Sequence, residues 1–236
     1  MKVNSSRENI VLTQMEISPF CDKVRRTLHY KGLAYSTREV KLIELSFLKR
    51  LAPTGKVPIL DYGSERLWDS TDICLALEAR HPAPALLPED PRDRADALLL
   101  EDWADETLYF FEMTMRFVWP DDQGRWSREL ARFDIPVVRS LAPMLVPRLT
   151  KTIVGHQGTG RKTREQILLE LDRLFGALAL RISKTGFCVG SALSLADISV
   201  ASQIHCIQGS SQGARSVDAH PELADWKRRI DAATLP

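Results

Sequence analysis

Ser18-Pro19-Phe20-Cys21 stands where one hydrophobic pattern gives way to another. Before it, Ile10-Val11-Leu12-Thr13-Gln14-Met15 is a short apolar run that reads as a buried strand. After it, Val24 and Leu28 continue a helical pattern through Tyr30-Lys31, and Gly32 suits the position just past a helix end. Pro19 fits a first helical turn, where the N–H it lacks has no intrahelical partner. The stretch therefore predicts a strand-to-helix corner, with the small polar side chains of Ser18 and Cys21 at the helix start. Unpaired N–H groups and the positive end of the helix dipole favour a thiolate or carboxylate at such a corner. The residues point to a place for sulfur chemistry.

A second stretch has the same logic. Gly55-Lys56-Val57-Pro58-Ile59-Leu60-Asp61 reads as a strand entered by a proline, because a mid-strand proline would delete a ladder bond. Tyr62-Gly63-Ser64 forms a turn into the partner strand Arg66-Leu67-Trp68. Asp69-Ser70-Thr71-Asp72 then caps a helix that runs to about Arg80, with Ile73, Ala76 and Leu77 on one face. Backbone donors and a hydroxyl again meet at a helix start.

Taken in order, these motifs resemble the cytosolic glutathione S-transferase superfamily in its serine-type form. The resemblance covers roughly residues 8–82 and returns at Ser194-Leu195-Ala196-Asp197-Ile198-Ser199-Val200-Ala201, which looks like that family's N-capping box. It implies a thioredoxin-like α/β N-terminal domain over residues 8–82. A proline-rich linker over 83–91 follows, then an all-α helical bundle domain over 92–236. The density of Pro82, Pro84, Pro88 and Pro91 itself excludes a helix there and predicts a semi-rigid spacer.

Composition narrows the classes. At 236 residues with 44% hydrophobic content the chain can bury a full core. The net charge is +1, divided as about +3 before the linker and about −2 from the linker onward, so neither part carries a nucleic-acid footprint. No apolar run reaches membrane-spanning length, and the polar start Met1 to Asn9 lacks a signal-peptide core, so a cytoplasmic protein without membrane or nucleic-acid partners is expected. The four cysteines show no metal or disulfide spacing. Cys74 and Cys206 read as small buried hydrophobes, Cys188 lies in a loop, and only Cys21 sits where its acidity matters. The five histidines are scattered, so no metal is expected.

Beyond the linker, residues 92–119 carry two apolar stripes, as a central bundle helix would. Between 125 and 157, Pro136, Pro143 and Pro147 argue against one long helix, although Val137, Leu141, Leu145 and Leu149 keep helical spacing. A helix is expected over 163–184, a wholly buried one after Ser194, and a short one after His220.

The resemblance assigns roles. Glutathione would be the co-substrate, with its sulfur held by Ser18; the residue's other reading is a plain N-cap. Cys21 would either form a mixed disulfide with glutathione or pack as a shielded thiol. Val57 would pair its backbone with the cysteinyl part of the tripeptide, and Pro58 would follow a cis bond. Lys56 would reach the glycine carboxylate or stay solvated, and Asp69 and Ser70 would hold the γ-glutamyl end or cap their helix. Tyr109, Phe110, Met113, Phe117 and Trp119 are candidate apolar walls for a second substrate, and at least half of them are expected in the core. Arg116 would favour an anionic substrate or lie exposed. The implied function is conjugation of glutathione to an apolar electrophile by a homodimeric detoxification transferase. Two alternatives are thiol transfer or peroxide reduction through Cys21, and a catalytically silent binding or regulatory protein.

Overall fold

The computed structural model describes residues 9–235; the polar stretch Met1 to Glu8 and Pro236 lie outside the described residues. The N-terminal part is a thioredoxin-like α/β unit with a four-stranded mixed sheet in the order β2-β1-β3-β4. Strand β1 (Ile10–Gln14) is parallel to β2 (Ser36–Glu39) and antiparallel to β3 (Ile59–Tyr62), which pairs with β4 (Glu65–Trp68). Helix α1 (Pro19–Tyr30) makes the crossover between the parallel strands, and it ends at Gly32 with φ +65°. A 3-10 turn (Leu42–Phe47), α2 (Leu48–Leu51) and α3 (Ser70–Arg80) complete the unit. Leu12 and Leu60 from the sheet and Val24, Leu28, Ile73 and Leu77 from α1 and α3 are fully buried in one cluster.

The remainder is all-helical. Helix α4 (Pro91–Trp103) starts on an Asp90 cap, passes through a π-helical turn (Ala104–Leu108) and continues as α5 (Tyr109–Phe117). Then come α6 (Gln123–Leu130), α7 (Pro136–Gln157), α8 (Arg164–Thr185), α9 (Leu195–Gln208), α10 (Ser211–Asp218) and α11 (Pro221–Thr234). From Leu195 to Ile207 every residue of α9 except His205 is buried, as its apolar sequence predicts. Its N-terminus has no access to water, so its donors are satisfied internally. Asp197 accepts from the Ser194 N–H (3.0 Å), the Ser194 hydroxyl (2.9 Å), the Cys188 N–H (2.8 Å) and Trp226 Nε1 (2.9 Å).

Residues 136–157 correct the sequence reading: they form one 22-residue helix that contains Pro143 and Pro147. The two prolines are four residues apart, so they lie on one side and their missing bonds fall in neighbouring turns. The helix is held instead by Ala142, Val146, Thr150 and Val154, a buried row at four-residue spacing. Ala142 and Val146 pack with Phe117 and Ala131 in a cluster of their own. Val137, Leu141, Leu145 and Leu149, which carry the helical spacing in the sequence, are the outward face.

Buried ion pairs tie the two parts together. Lys23 of α1, 1% exposed, is clamped by Glu101 of α4 and by Asp105 of the π turn at 2.5 Å, with the Thr71 hydroxyl at 3.1 Å. Arg26 contacts Asp22 at 2.6 Å and Asp231 of α11 at 2.7 Å. Such pairs add little net stability, but removing one partner leaves an uncompensated charge and costs about 3–5 kcal/mol. They fix the register of α1 against the helical domain.

Candidate functional site

A cleft of about 510 Å³ opens where the corner after β1 meets the π turn, α5 and α7. That volume lies within the ~300–1,000 Å³ typical of small-molecule sites. One end is polar: Ser18, Lys56 and Val57 line it. The other is apolar: Tyr109, Phe110, Met113 and Phe117 face Leu42, Leu45, Val146 and Ile153.

The polar end follows from local backbone chemistry. Ser18 caps α1, and its oxygen accepts a long 3.4 Å bond from the Cys21 N–H. The capping and outward readings of Ser18 therefore coexist, since the hydroxyl also lines the cleft. The Ile17 carbonyl, one residue earlier, accepts from both terminal nitrogens of Arg116 (3.2 and 3.1 Å) and from the Cys206 thiol at 3.7 Å. These three donors anchor the corner. Val57 precedes a cis peptide bond to Pro58. Neither its N–H nor its carbonyl has a hydrogen-bond partner among the described residues, although the residue borders the cleft. An unpaired strand segment of this kind can accept an extended peptide. The ammonium of Lys56 has no partner among the described residues and is exposed at the same end.

Cys21 is not part of this cleft. Its side chain is fully buried, and burial pushes the thiol up to about 11 against the opposing hydrogen bonds from the Met15 backbone and Ser18. A thiol held neutral and covered is a poor nucleophile. Asp69 and Ser70 stand at the start of α3. The Asp69 carboxylate accepts from the Thr71 N–H at 2.9 Å, which is the capping role, and its backbone holds φ +70°. A non-glycine residue in that region carries about 1–3 kcal/mol of strain, which marks the turn as constrained. Ser70 is buried.

Arg116 lines the cleft and departs from the exposed reading. It is 2% exposed, pairs with Glu112 at 2.7 Å, stacks over Trp126 at 4.4 Å and turns one N–H of each terminal nitrogen to the Ile17 carbonyl. It positions the corner, and Glu112 balances its charge. Among the aromatic candidates, Trp119 belongs to the main core beneath Arg164, whereas Tyr109 and Phe110 are half-buried cleft walls.

Some cleft residues were not legible. Asp105 and Glu106 enter through the π turn, and no sequence periodicity announces that extra residue. Burial raises the Asp105 carboxyl to about 6 with help from Glu101, although Lys23 opposes it. Val146, Thr150 and Ile153 enter through α7, whose prolines hid the helix. Among the described residues no group of three His, Cys, Asp or Glu side chains is placed to hold a metal ion, and no helix is long and apolar enough to cross a membrane.

Comparison with known proteins agrees with this architecture. Residues 12–85 match the family model "Glutathione S-transferase, N-terminal domain", and residues 141–233 match "Glutathione S-transferase, C-terminal domain". The chain is 31% identical over 155 residues to the probable glutathione S-transferase parA of Nicotiana tabacum, covering 64% of this chain and 67% of that one. Its fold superposes on the beta-etherase LigF of Sphingobium sp. strain SYK-6 with a TM-score of 0.69 at 23% identity over 95% of each chain. It also superposes on rice GST1 in complex with glutathione, with a TM-score of 0.68 at 20% identity, over 98% of this chain and 92% of that one. The chain belongs to the glutathione S-transferase superfamily.

Proposed function

We propose that this protein binds glutathione at the polar end of the cleft and joins the whole tripeptide, through a new bond from its sulfur, to an apolar electrophile held at the other end. The observation that carries the reading is the single cleft joining Ser18 and the unpaired backbone of Val57 to the walls formed by Tyr109, Phe110, Met113 and Phe117. The tripeptide lies along Val57 as an extra antiparallel strand. Lys56 meets its glycine carboxylate, and Ser70, through its hydroxyl and its own N–H, meets the γ-glutamyl carboxylate. Asp69 faces the amine while it caps the helix.

Ser18 then donates a hydrogen bond from its hydroxyl to the sulfur anion, and the N-terminus of α1 adds its positive field. Lowering a thiol from about 8.5 to about 6.5 needs about 2.7 kcal/mol of selective stabilisation of the anion. One hydrogen bond to a charged acceptor and one helix terminus are together of that size. The apolar end positions the electrophile beside the thiolate and keeps water away. The buried, neutral thiol of Cys21 supports a packing role for it and weighs against thiol transfer.

A second reading draws on Asp69. Its carboxylate is already occupied by the α3 amides, which weakens the amine contact and favours a binding protein with little turnover. Retention on glutathione resin together with conjugation of a chromogenic electrophile supports the transferase. Retention without conjugation supports the binding protein, and failure of both rejects the glutathione site. A homodimer belongs to the same proposal, and the exposed Leu98, Leu99, Leu169 and Leu180 on α4 and α8 offer it an apolar face.

A further inference from the structure

The outer face of α7 is apolar and uncovered. Val137, Leu141, Met144, Leu145, Leu149 and Ile153 are each 44–65% exposed and recur every three or four residues along the helix. A large exposed apolar patch on a folded protein marks an interaction surface. This one continues into the cleft: Ile153 and Leu45 line the cleft wall and are also 51% and 41% exposed. Ile43 and Phe47, at 53% and 42%, extend the patch on the 3-10 turn.

The charge around this patch selects its occupant. Between Ile135 and Arg164 the chain has six Lys or Arg residues (Arg139, Arg148, Lys151, Arg161, Lys162, Arg164) and no Asp or Glu. Lys162 and Arg164 are paired with Glu170 and Asp121. Arg139, Arg148 and Lys151 are exposed and make no ion pair among the described residues. At 100° per residue, Arg148 falls within the apolar face and Lys151 at its edge. Asp134, just before α7, is buried and accepts from the Leu42 and Ile43 N–H groups at 2.9 and 3.2 Å, and Glu44 on the 3-10 turn is paired with Arg38 at 3.6 Å. The Asp134 contact also ties the loop before α7 to the rim of the cleft.

A second copy is a poor match. A two-fold contact through this face would bring Arg148 and Lys151 of both copies into one interface to which α7 contributes no acid. A surface both apolar and anionic matches well. A cationic helix with bulky apolar side chains on one face lies in the headgroup region of acidic bilayers, and its long basic side chains reach up to the phosphates.

We propose that the α7 face docks the protein peripherally on an anionic lipid bilayer, with the cleft mouth turned toward the acyl chains. This replaces the sequence-based expectation of no membrane partner, and it requires no spanning helix. The docking rests on the surface alone and not on transfer chemistry. Its consequence for the proposed function is that lipid-derived apolar electrophiles enter the cleft directly from the bilayer.

Co-sedimentation of the full chain with vesicles tests it. The expected result is binding to phosphatidylcholine vesicles that contain phosphatidylglycerol, little binding to phosphatidylcholine alone, and release by salt. Arg148→Ala with Lys151→Ala weakens binding about twenty-five-fold, at about fivefold for each cation. Leu145→Ser with Leu149→Ser weakens it by about tenfold or more. These side chains are exposed, so the melting curves of both variants stay at the parent position. Absence of binding to anionic vesicles at low ionic strength overturns the proposal, as does binding that neither variant changes. Concentration-dependent dimerisation that the Leu145→Ser, Leu149→Ser variant abolishes, without vesicle binding, assigns the face to a second copy and overturns it too. Glutathione retention is measured on the same samples, so failure of docking is distinguished from failure of the glutathione site.

Discussion

Helices α1 and α9 both begin on a serine, and they use it in opposite ways. At α9, Ser194 and Asp197 form a closed capping box in the core, and the Asp197 carboxylate receives four hydrogen bonds. At α1, Ser18 accepts one long bond and faces the cleft. The first arrangement leaves nothing for a ligand; the second leaves a hydroxyl and the field of a helix N-terminus. The contrast teaches that a helix start becomes a site when its cap is under-used and solvent or substrate completes it.

The largest effect is expected where the cap is complete. Asp197→Ala leaves the Cys188 and Ser194 amides and Trp226 Nε1 buried without acceptors. It should lower unfolding free energy by about 3–5 kcal/mol in denaturant titration. Retained stability would show that the α9 box is dispensable and would remove half of the contrast. Ser18→Ala should do the reverse. Stability falls by no more than about 1 kcal/mol, because the lost cap bond is long, while conjugation falls about a hundredfold. A large loss of stability with unchanged turnover would make the two serines alike.

The two buried carboxylates sharpen the same comparison. Asp105 sits in the cleft wall with one ammonium partner, and burial raises its carboxyl to about 6. The folded protein therefore holds that proton to higher pH than the unfolded chain does. The stability it contributes is complete below the ordinary carboxylate range, near 3.9, and is lost as pH rises toward about 6. Asp105→Asn, which fixes the neutral form, should flatten the melting temperature between about pH 4 and pH 6. An unaltered profile would show that Lys23 keeps Asp105 ionised throughout.

The smallest effect belongs to Cys21→Ala. The side chain is fully buried, so stability drops by about 1 kcal/mol while conjugation persists. Lost thiol-transfer activity in this variant would restore the cysteine to the chemistry.

The sequence carried the local half of this structure and missed the non-local half. The Ser-Pro-Phe-Cys corner, the Val-Pro strand entrance, the Asp69 cap and the buried α9 were legible because each depends on neighbours within a few residues. The burial of Arg116 was not legible because the contact that holds it at the corner is distant: the Ile17 carbonyl is 99 positions away. The clamp of Lys23 by Glu101 and Asp105 spans about eighty positions, and no periodicity encodes it. Helix α7 was hidden because proline propensity is a local penalty, whereas the buried row from Ala142 to Val154 that offsets it is a tertiary gain.

The central claim concerns the sulfur of glutathione beside Ser18. Its most direct test is a titration of bound glutathione, followed by thiolate absorbance, in the parent protein and in Ser18→Ala. The predicted result is a thiol pKa of about 6.5 in the parent, rising toward about 8.5 in the variant while binding is retained. The same pKa in both proteins would contradict the account, because the anion would then be held by something other than this hydroxyl.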